Sequence, residues 1–381
     1  MAGPEHFDVV CLSLEPWDQV WRRNQHLATR VLDLRPTMRL LFSEVPTDIA
    51  LSLSRGHRPR RSSLRPMGGT GRLWVTTPRK WLPRRVWPRG DRSLGTQVLR
   101  ASRRVGLTRP VLWINDSTYA PLVERTGWPS VYDVTDDWLL ADAGTREQER
   151  QERNDASLLR TASEVVVCSP SLLESRGRHR PVHLISNGVD LDALRAPTER
   201  PADLPAGRTV VYQGTLSTDR LDIGLCVRLA QAMAGRASVV FVGPDSLSGP
   251  DRRALLGAGA VLLGSRPFRD IPAYLQHADL LVVPHVRTPF TESLDPIKAR
   301  EFVAVGRRVV ATPVAGFRDL DPPVIAAASG RFVEAVLGAL DEAPRAAGPG
   351  PLVHRPLTWA TQAEAFLAVL DAAAESSRSR T

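Results

Sequence analysis

Cysteine is scarce: Cys11, Cys168 and Cys226 are the only three in 381 residues. They lie far apart in apolar segments, which argues against a disulfide framework or a metal knuckle and marks them as small buried hydrophobes. The eight histidines show no HExxH spacing, and no metal site is expected. No apolar run approaches the roughly 18 residues of a membrane span. The opening MAGPEHFDVVCLSLEP enters a strand without a basic start or a small-residue cleavage site, and a cytoplasmic location is expected. Neither half begins with GxGxxG, which argues against a nicotinamide-dependent oxidoreductase. RNP, KH and helix-turn-helix signatures are also missing, so nucleic acid is not the expected partner. Lysine is nearly absent, with only Lys80 and Lys298 among 50 Lys and Arg. A GC-rich coding bias accounts for that ratio, and it gives a retained lysine extra weight.

What is present suits a globular protein of two domains, since 381 residues with 43% apolar content exceed a single core. The net charge of +9 is unevenly placed. Residues 55–104 hold 15 Arg and Lys against one acid, Asp91, a local +14 that leaves −5 for the rest. Trp74, Trp81 and Trp87 stand among these arginines. Such a segment suits docking on an anionic membrane surface, on the inner face of the membrane, and equally a solvated loop.

Strand and helix patterns alternate along both halves, which predicts two parallel α/β sheets. A strand at 7–14 leads through a loop holding Trp17, Arg22, Arg23, Gln25 and His26 into a helix at 22–34. Ligands gather at such post-strand loops, and His26 is a candidate catalytic residue there; a plain solvated loop is the alternative. The strand 130–134 runs into Thr135, Asp136 and Asp137. Asp136 or Asp137 is placed to bind an acceptor hydroxyl or act as a base, or to cap the polar helix that follows. Pro197, Pro201 and Pro205 mark a linker, giving domains 1–195 and 196–356 and a terminal segment 357–381 with a last helix.

One stretch, TESLDPIKAREFVAVGRRVVATP (291–313), carries the densest chemistry. Asp295 as a cap with Pro296 in the first turn predicts a helix to about Val305, ended by Gly306 before a buried strand at 308–312. Lys298 and Glu301 are three apart, so both functional groups follow one side of the helix. A helix start with a lysine favours a diphosphate, and a carboxylate one turn on suits a sugar diol; a surface Asp-Lys-Glu network is the other reading. Gly214, Thr215 and Arg220 follow the strand 209–213 and make a second phosphate-suited loop.

These segments together resemble GT-B-fold glycosyltransferases of the family 4, group 1 type, and among them bacterial enzymes of teichuronic-acid type. The resemblance covers the loop ending RNQH, YDVTDDW, SNGVD, YQGTLSTDRLD, FVGP and DPIKAREFVAVGRRVVATP, the last similar to the family's DPxKxxEYxAxGxPVV. It implies two Rossmann-like doubly wound domains facing across a cleft, with the C-terminal helix crossing back. It also implies retaining, metal-independent transfer from a nucleotide-sugar donor to a hydroxyl acceptor, without a further cofactor. By resemblance Glu301 holds the donor ribose, Lys298 and Arg220 bind the diphosphate, and Asn187 lies in a turn at the cleft. Three positions depart from the pattern. Thr215 stands where arginine is usual, the first of two expected glutamates falls at Ser293 beside Glu292, and Asn24 replaces a proline. A GT-B nucleotide-sugar epimerase and an RNA-binding protein are the competing functions.

Overall fold

A computed structural model describes residues 6–54, 58–59, 62–81, 90–137, 144–320, 323–353 and 355–376. Contacts divide it into two compact units. The first comprises residues 1–18, 22–186 and 360–381; the second comprises 19–21 and 187–359.

The first unit is built on a sheet of β1 (Val9–Leu12), β2 (Leu40–Ser43), β4 (Leu64–Met67), β5 (Leu73–Thr76), β7 (Val111–Ile114), β8 (Ser130–Val134), β9 (Glu164–Val167) and β10 (His183–Leu184). A small ribbon pairs β3 (Thr47–Asp48) with β6 (Arg79–Lys80). Strand order in the large sheet is β10-β9-β8-β7-β1-β2-β5-β4, parallel except for β4 against β5. The chain winds outward from β1 through β2, returns, and winds the other way from β7. Loops therefore diverge beyond the C-terminal ends of β1 and β7, the place where such sheets hold ligands. β1, β2, β7 and β8 are buried throughout, as expected of parallel strands covered on both faces. The last helix, Trp359–Ser376, sets Phe366 4.7 Å from the ring of Trp113 and Asp371 in a two-pronged pair with Arg35 at 2.8 Å.

The second unit orders β11 (Thr209–Gln213), β12 (Ser238–Val242), β13 (Val261–Gly264), β14 (Leu280–Val283), β15 (Val309–Ala311) and β16 (Val324–Ala326) as β13-β12-β11-β14-β15-β16, all parallel. Side chains alternate between two cores. Val211, Val240, Leu281 and Val309 enter one, while Val210, Phe241, Val282 and Val310 enter the other. Winding reverses between β11 and β14, which makes the second crevice. This unit begins at Asn187, ahead of the proline-rich 197–205 stretch, because the Leu191–Arg195 helix is tied into it by Arg195 donating to the carbonyls of Ala304 and Gly350.

The basic segment is not one solvated loop. It supplies β4, β5, β6 and the helix Gly90–Arg104, and Trp74 packs against the first core. Arg65 pairs with Glu44, Lys80 with Asp48, and Arg72 donates to the Leu32 carbonyl. Trp87 and its neighbours Arg84 and Arg85 lie outside the described residues.

Candidate active site

In the second unit the loop after β11 opens on Gly214, at φ +141°. A Cβ there would overlap the Lys298 ammonium and reach within 3.0 Å of its Cε, so only glycine admits the lysine this close to the main chain. Lys298 stands in the first turn of the helix Ile297–Val305. Its Nζ donates to the Tyr212 hydroxyl at 2.9 Å and lies 4.4 Å from the ring centroid. Tyr212, buried on β11, brings its hydroxyl within 3.3 Å of His285 Nε2. His285 follows β14, and its neighbours are stitched to the β11 loop. Asp222 N–H donates to the Pro284 carbonyl at 2.9 Å, and Val286 N–H donates to the Arg220 carbonyl at 2.8 Å. The Arg220 guanidinium sits 5.7 Å from the Phe290 ring centroid.

The electrostatics tie these groups together. Burial, then the nearby Arg220 charge, lowers the Lys298 pKa to about 7, against a smaller opposing pull from Glu301. Burial raises the Glu301 pKa to about 7, with Lys298 opposing. His285 is held well below its usual value by burial, then by Lys298 and Arg220, so its ring is neutral at pH 7. Among the described residues neither Lys298 nor Arg220 forms an ion pair, and the Glu301 carboxylate accepts no hydrogen bond. No side chain caps the first turn of the Lys298 helix, which leaves an electropositive end beside two unmatched cations. The crevice is therefore suited to an anion flanked by hydroxyls.

Gly214, Thr215, Arg220, Lys298 and Glu301 thus share one site. Asp295 does not act as the helix cap expected of it. Pro296 occupies that position, while the Asp295 carboxylate accepts from the Asn187 N–H at 2.7 Å and from Arg300. Asn187 Nδ2 donates to the Asp295 carbonyl at 2.6 Å, so this pair fastens the 187 turn to the helix start. Glu292 pairs with Arg287 and Arg318 on the short Pro289–Ser293 helix. His285 and Tyr212 escaped the sequence reading; their signal was a polar ring directly after one core strand and a tyrosine at the C-terminal end of the other.

In the first unit His26 is buried on the helix Arg23–Leu34, and burial, then Arg30, lowers its pKa to about 3. Asp136 lines a cavity of about 370 Å³ beyond the ends of β1 and β7, together with Asn115, Asp116 and Tyr132. His26 is not among its lining residues. Asp137 pairs with Arg176 at 2.9 Å.

Residues 207–342 match the model for glycosyl transferases group 1. This segment is a group 1 glycosyltransferase domain. It contains every member of the Gly214–Lys298–Glu301 cluster. The chain is also 23% identical over 235 residues to TuaH of Bacillus subtilis (strain 168), a protein named as a glycosyltransferase of teichuronic acid biosynthesis; the match covers 57% of this chain and 59% of that relative. Among solved structures, a UDP-forming trehalose-phosphate synthase from Burkholderia xenovorans with glucose-6-phosphate superposes at TM-score 0.64, 12% identity, over 95% of this chain and 99% of the other. HepE of Anabaena with UDP and glucose superposes at TM-score 0.61, 14% identity, over 99% of this chain and 100% of the other. Each unit of the chain, the group 1 domain included, accordingly has the Rossmann-like α/β fold of GT-B proteins.

Proposed function

We propose that this protein transfers a sugar from a nucleotide-sugar donor to a hydroxyl acceptor with retention of configuration, using no metal and no cofactor beyond the donor. The observation that carries the reading is the unmatched pair of cations, Lys298 and Arg220, at the β11/β14 crevice of the group 1 domain. As the glycosidic bond breaks, negative charge grows on the leaving diphosphate, and fixed cations beside a helix start stabilise it. Glu301, one turn further, accepts from the donor ribose. The leaving phosphate takes the proton of the incoming hydroxyl on the same face. Asp136 positions the acceptor, and His26, buried outside the Asp136 cavity with its pKa lowered to about 3, is too weak a base to abstract the acceptor's proton. One structural neighbour is a UDP-forming enzyme and another is held with UDP, which makes UDP-sugars the first donors to test, and TuaH points to a cell-envelope polymer as acceptor. Thermal stabilisation by a panel of nucleotide sugars, followed by transfer assays on Lys298→Ala and Glu301→Ala, tests this. Near-normal transfer by both variants overturns the site, and release of epimerised free donor without acceptor favours an epimerase.

A second reading concerns where the protein works, at the cytoplasmic face of a membrane. Parallel pairing of β3 with β6 brings the helix Ile49–Ser54 and Trp81 to the same end of the ribbon. There Leu51, Leu53 and Trp81 are 46%, 61% and 56% exposed, with Arg79 5.1 Å from the Trp81 ring. Exposed Leu and Trp beside cations suit an anionic bilayer surface. Replacing Leu51, Leu53 and Trp81 with serine should abolish flotation with phosphatidylglycerol vesicles; unchanged flotation removes this reading.

A further inference from the structure

The Tyr212 hydroxyl meets three partners and has one proton to give. Lys298 Nζ lies 2.9 Å away, the Thr215 carbonyl oxygen 3.2 Å and His285 Nε2 3.3 Å. A phenol offers one O–H and two lone pairs, an ammonium only donates, and a carbonyl only accepts. All three contacts are therefore matched in one arrangement alone. The phenol proton goes to Thr215, Lys298 donates to the phenol oxygen, and His285 arrives with its proton on Nε2 and none on Nδ1. In the opposite tautomer Nε2 would take the phenol proton, and the Thr215 carbonyl would lose its partner.

The imidazole is fixed at this junction. His285 is 4% exposed, its main-chain N–H donates to the Thr312 hydroxyl at 3.1 Å, and its backbone bridges to Leu221. Its ring meets that of Tyr212 at 64°, with centroids 5.9 Å apart. Burial and the charges of Lys298 and Arg220 keep it neutral, so it carries a single N–H, and which nitrogen holds it is set by these partners.

We infer that His285 is a positioning residue for the donor site: its Nε2–H locks the Tyr212 proton onto the Thr215 carbonyl, so that one hydroxyl ties the Gly214–Thr215 loop and Lys298 together in the geometry that receives the diphosphate. The inference rests on the nucleotide-sugar reading of this crevice. His285 acts through Tyr212 and not on the donor. Without its N–H, the phenol oxygen is one bond short and its proton is free to swing away from Thr215.

The test uses the full chain with isotope-labelled histidines, read by long-range proton–nitrogen NMR. The His285 signals, identified by their loss in His285→Gln, should show Nε2 protonated and Nδ1 bare, and should become a mixture of tautomers in Tyr212→Phe. Calorimetric titration with UDP should give an affinity about three- to tenfold lower in His285→Leu. His285→Gln, whose amide N–H still donates, should recover most of that loss. In the Tyr212→Phe background His285→Leu should cost nothing further, since both changes remove the same link. A role confined to packing gives equal losses in both backgrounds and no recovery by glutamine. That outcome overturns the inference, as does a ring protonated on Nδ1 or undiminished UDP binding by folded His285→Leu. If the wild-type chain binds no UDP, the donor reading falls, while an Nε2–H tautomer that depends on Tyr212 still upholds the link from His285 to Thr215.

Discussion

The Lys298 ammonium is seated on Tyr212, donating to its hydroxyl at 2.9 Å while lying 4.4 Å from its ring centroid. A neutral, buried phenol replaces the carboxylate that a lysine usually finds. The amine keeps its position without having its charge cancelled, and stays available to an external anion. Gly214 makes the seat possible. Gly214→Ala should displace Lys298 and, with φ at +141°, strain the loop by about 1–3 kcal/mol. Expected results are a UDP-sugar affinity reduced by at least about tenfold, matching Lys298→Ala, and a melting temperature lowered by several degrees. Calorimetric titration and thermal melts check both; full affinity in Gly214→Ala would show that the lysine does not contact the donor.

The Lys298 and Glu301 pKa values near 7 give a signed pH dependence. Protonated Lys298 binds the diphosphate, so affinity falls as pH rises through 7. Ionised Glu301 accepts from the ribose, so affinity also falls as pH drops below 7. A nucleotide sugar, whose phosphates do not titrate in this range, should therefore bind along a bell centred near pH 7, with the two limbs belonging to the coupled pair. Lys298→Arg should flatten the alkaline limb and Glu301→Gln the acid limb. Stability of the unliganded protein runs oppositely. Lys298 is lowered from its ordinary 10.5, so the unfolded chain holds more protons between about 7 and 10.5 and stability rises with pH there. Glu301 is raised from 4.5, so stability falls with pH between 4.5 and about 7. A shallow stability minimum near pH 7 follows, absent from the double variant, and chemical denaturation across pH measures it.

Lys298 and Glu301 were legible because helix spacing is a local property, and the post-strand loops because an apolar run ending in glycine or acid marks a sheet's ligand edge. Asp295 was misread because its partner, Asn187, is 108 residues away; an Asp before Pro-Ile-Lys looks like a cap until the distant amide is known. His285 is likewise a single residue after Val-Val-Pro, and only the β11/β14 pairing gives it company. The wall of the first unit's cavity was hidden for the opposite reason. The helix Thr145–Thr161, with Glu147, Gln151 and Asp155 facing inward, contradicts the rule that polar stripes face water, and it does so where a ligand crevice opens.

Asp295 and Asn187 should act as a fastening rather than as donor ligands. The Asp295 side chain is 7% exposed and is shared between Arg300 and the Asn187 amide. Asp295→Ala should cost about 1–3 kcal/mol in unfolding of the group 1 domain, and Asn187→Ala about 1 kcal/mol. In both, kcat at saturating donor should hold better than the melting temperature. A fall in transfer of a hundredfold with unchanged stability would return Asn187 to the substrate.

Arg23 and Asp133 carry the strongest claim on the first unit. The guanidinium donates to both carboxylate oxygens at 3.3 and 3.2 Å, Trp113 Nε1 adds a third bond at 3.1 Å, and the side chains are 5% and 0% exposed. The pair anchors the start of the Arg23–Leu34 helix, and so His26, to the centre of the sheet. Removing one partner leaves a buried charge unmatched, which costs about 3–5 kcal/mol, whereas an apolar pair of similar volume is often neutral. Asp133→Asn should therefore lower the stability of the first unit by that amount. Arg23→Met combined with Asp133→Leu should recover much of the loss. If the double variant is as unstable as the single one, the bidentate geometry rather than charge compensation holds the helix start, and His26 should then lose its shifted titration in both variants, as read by histidine NMR.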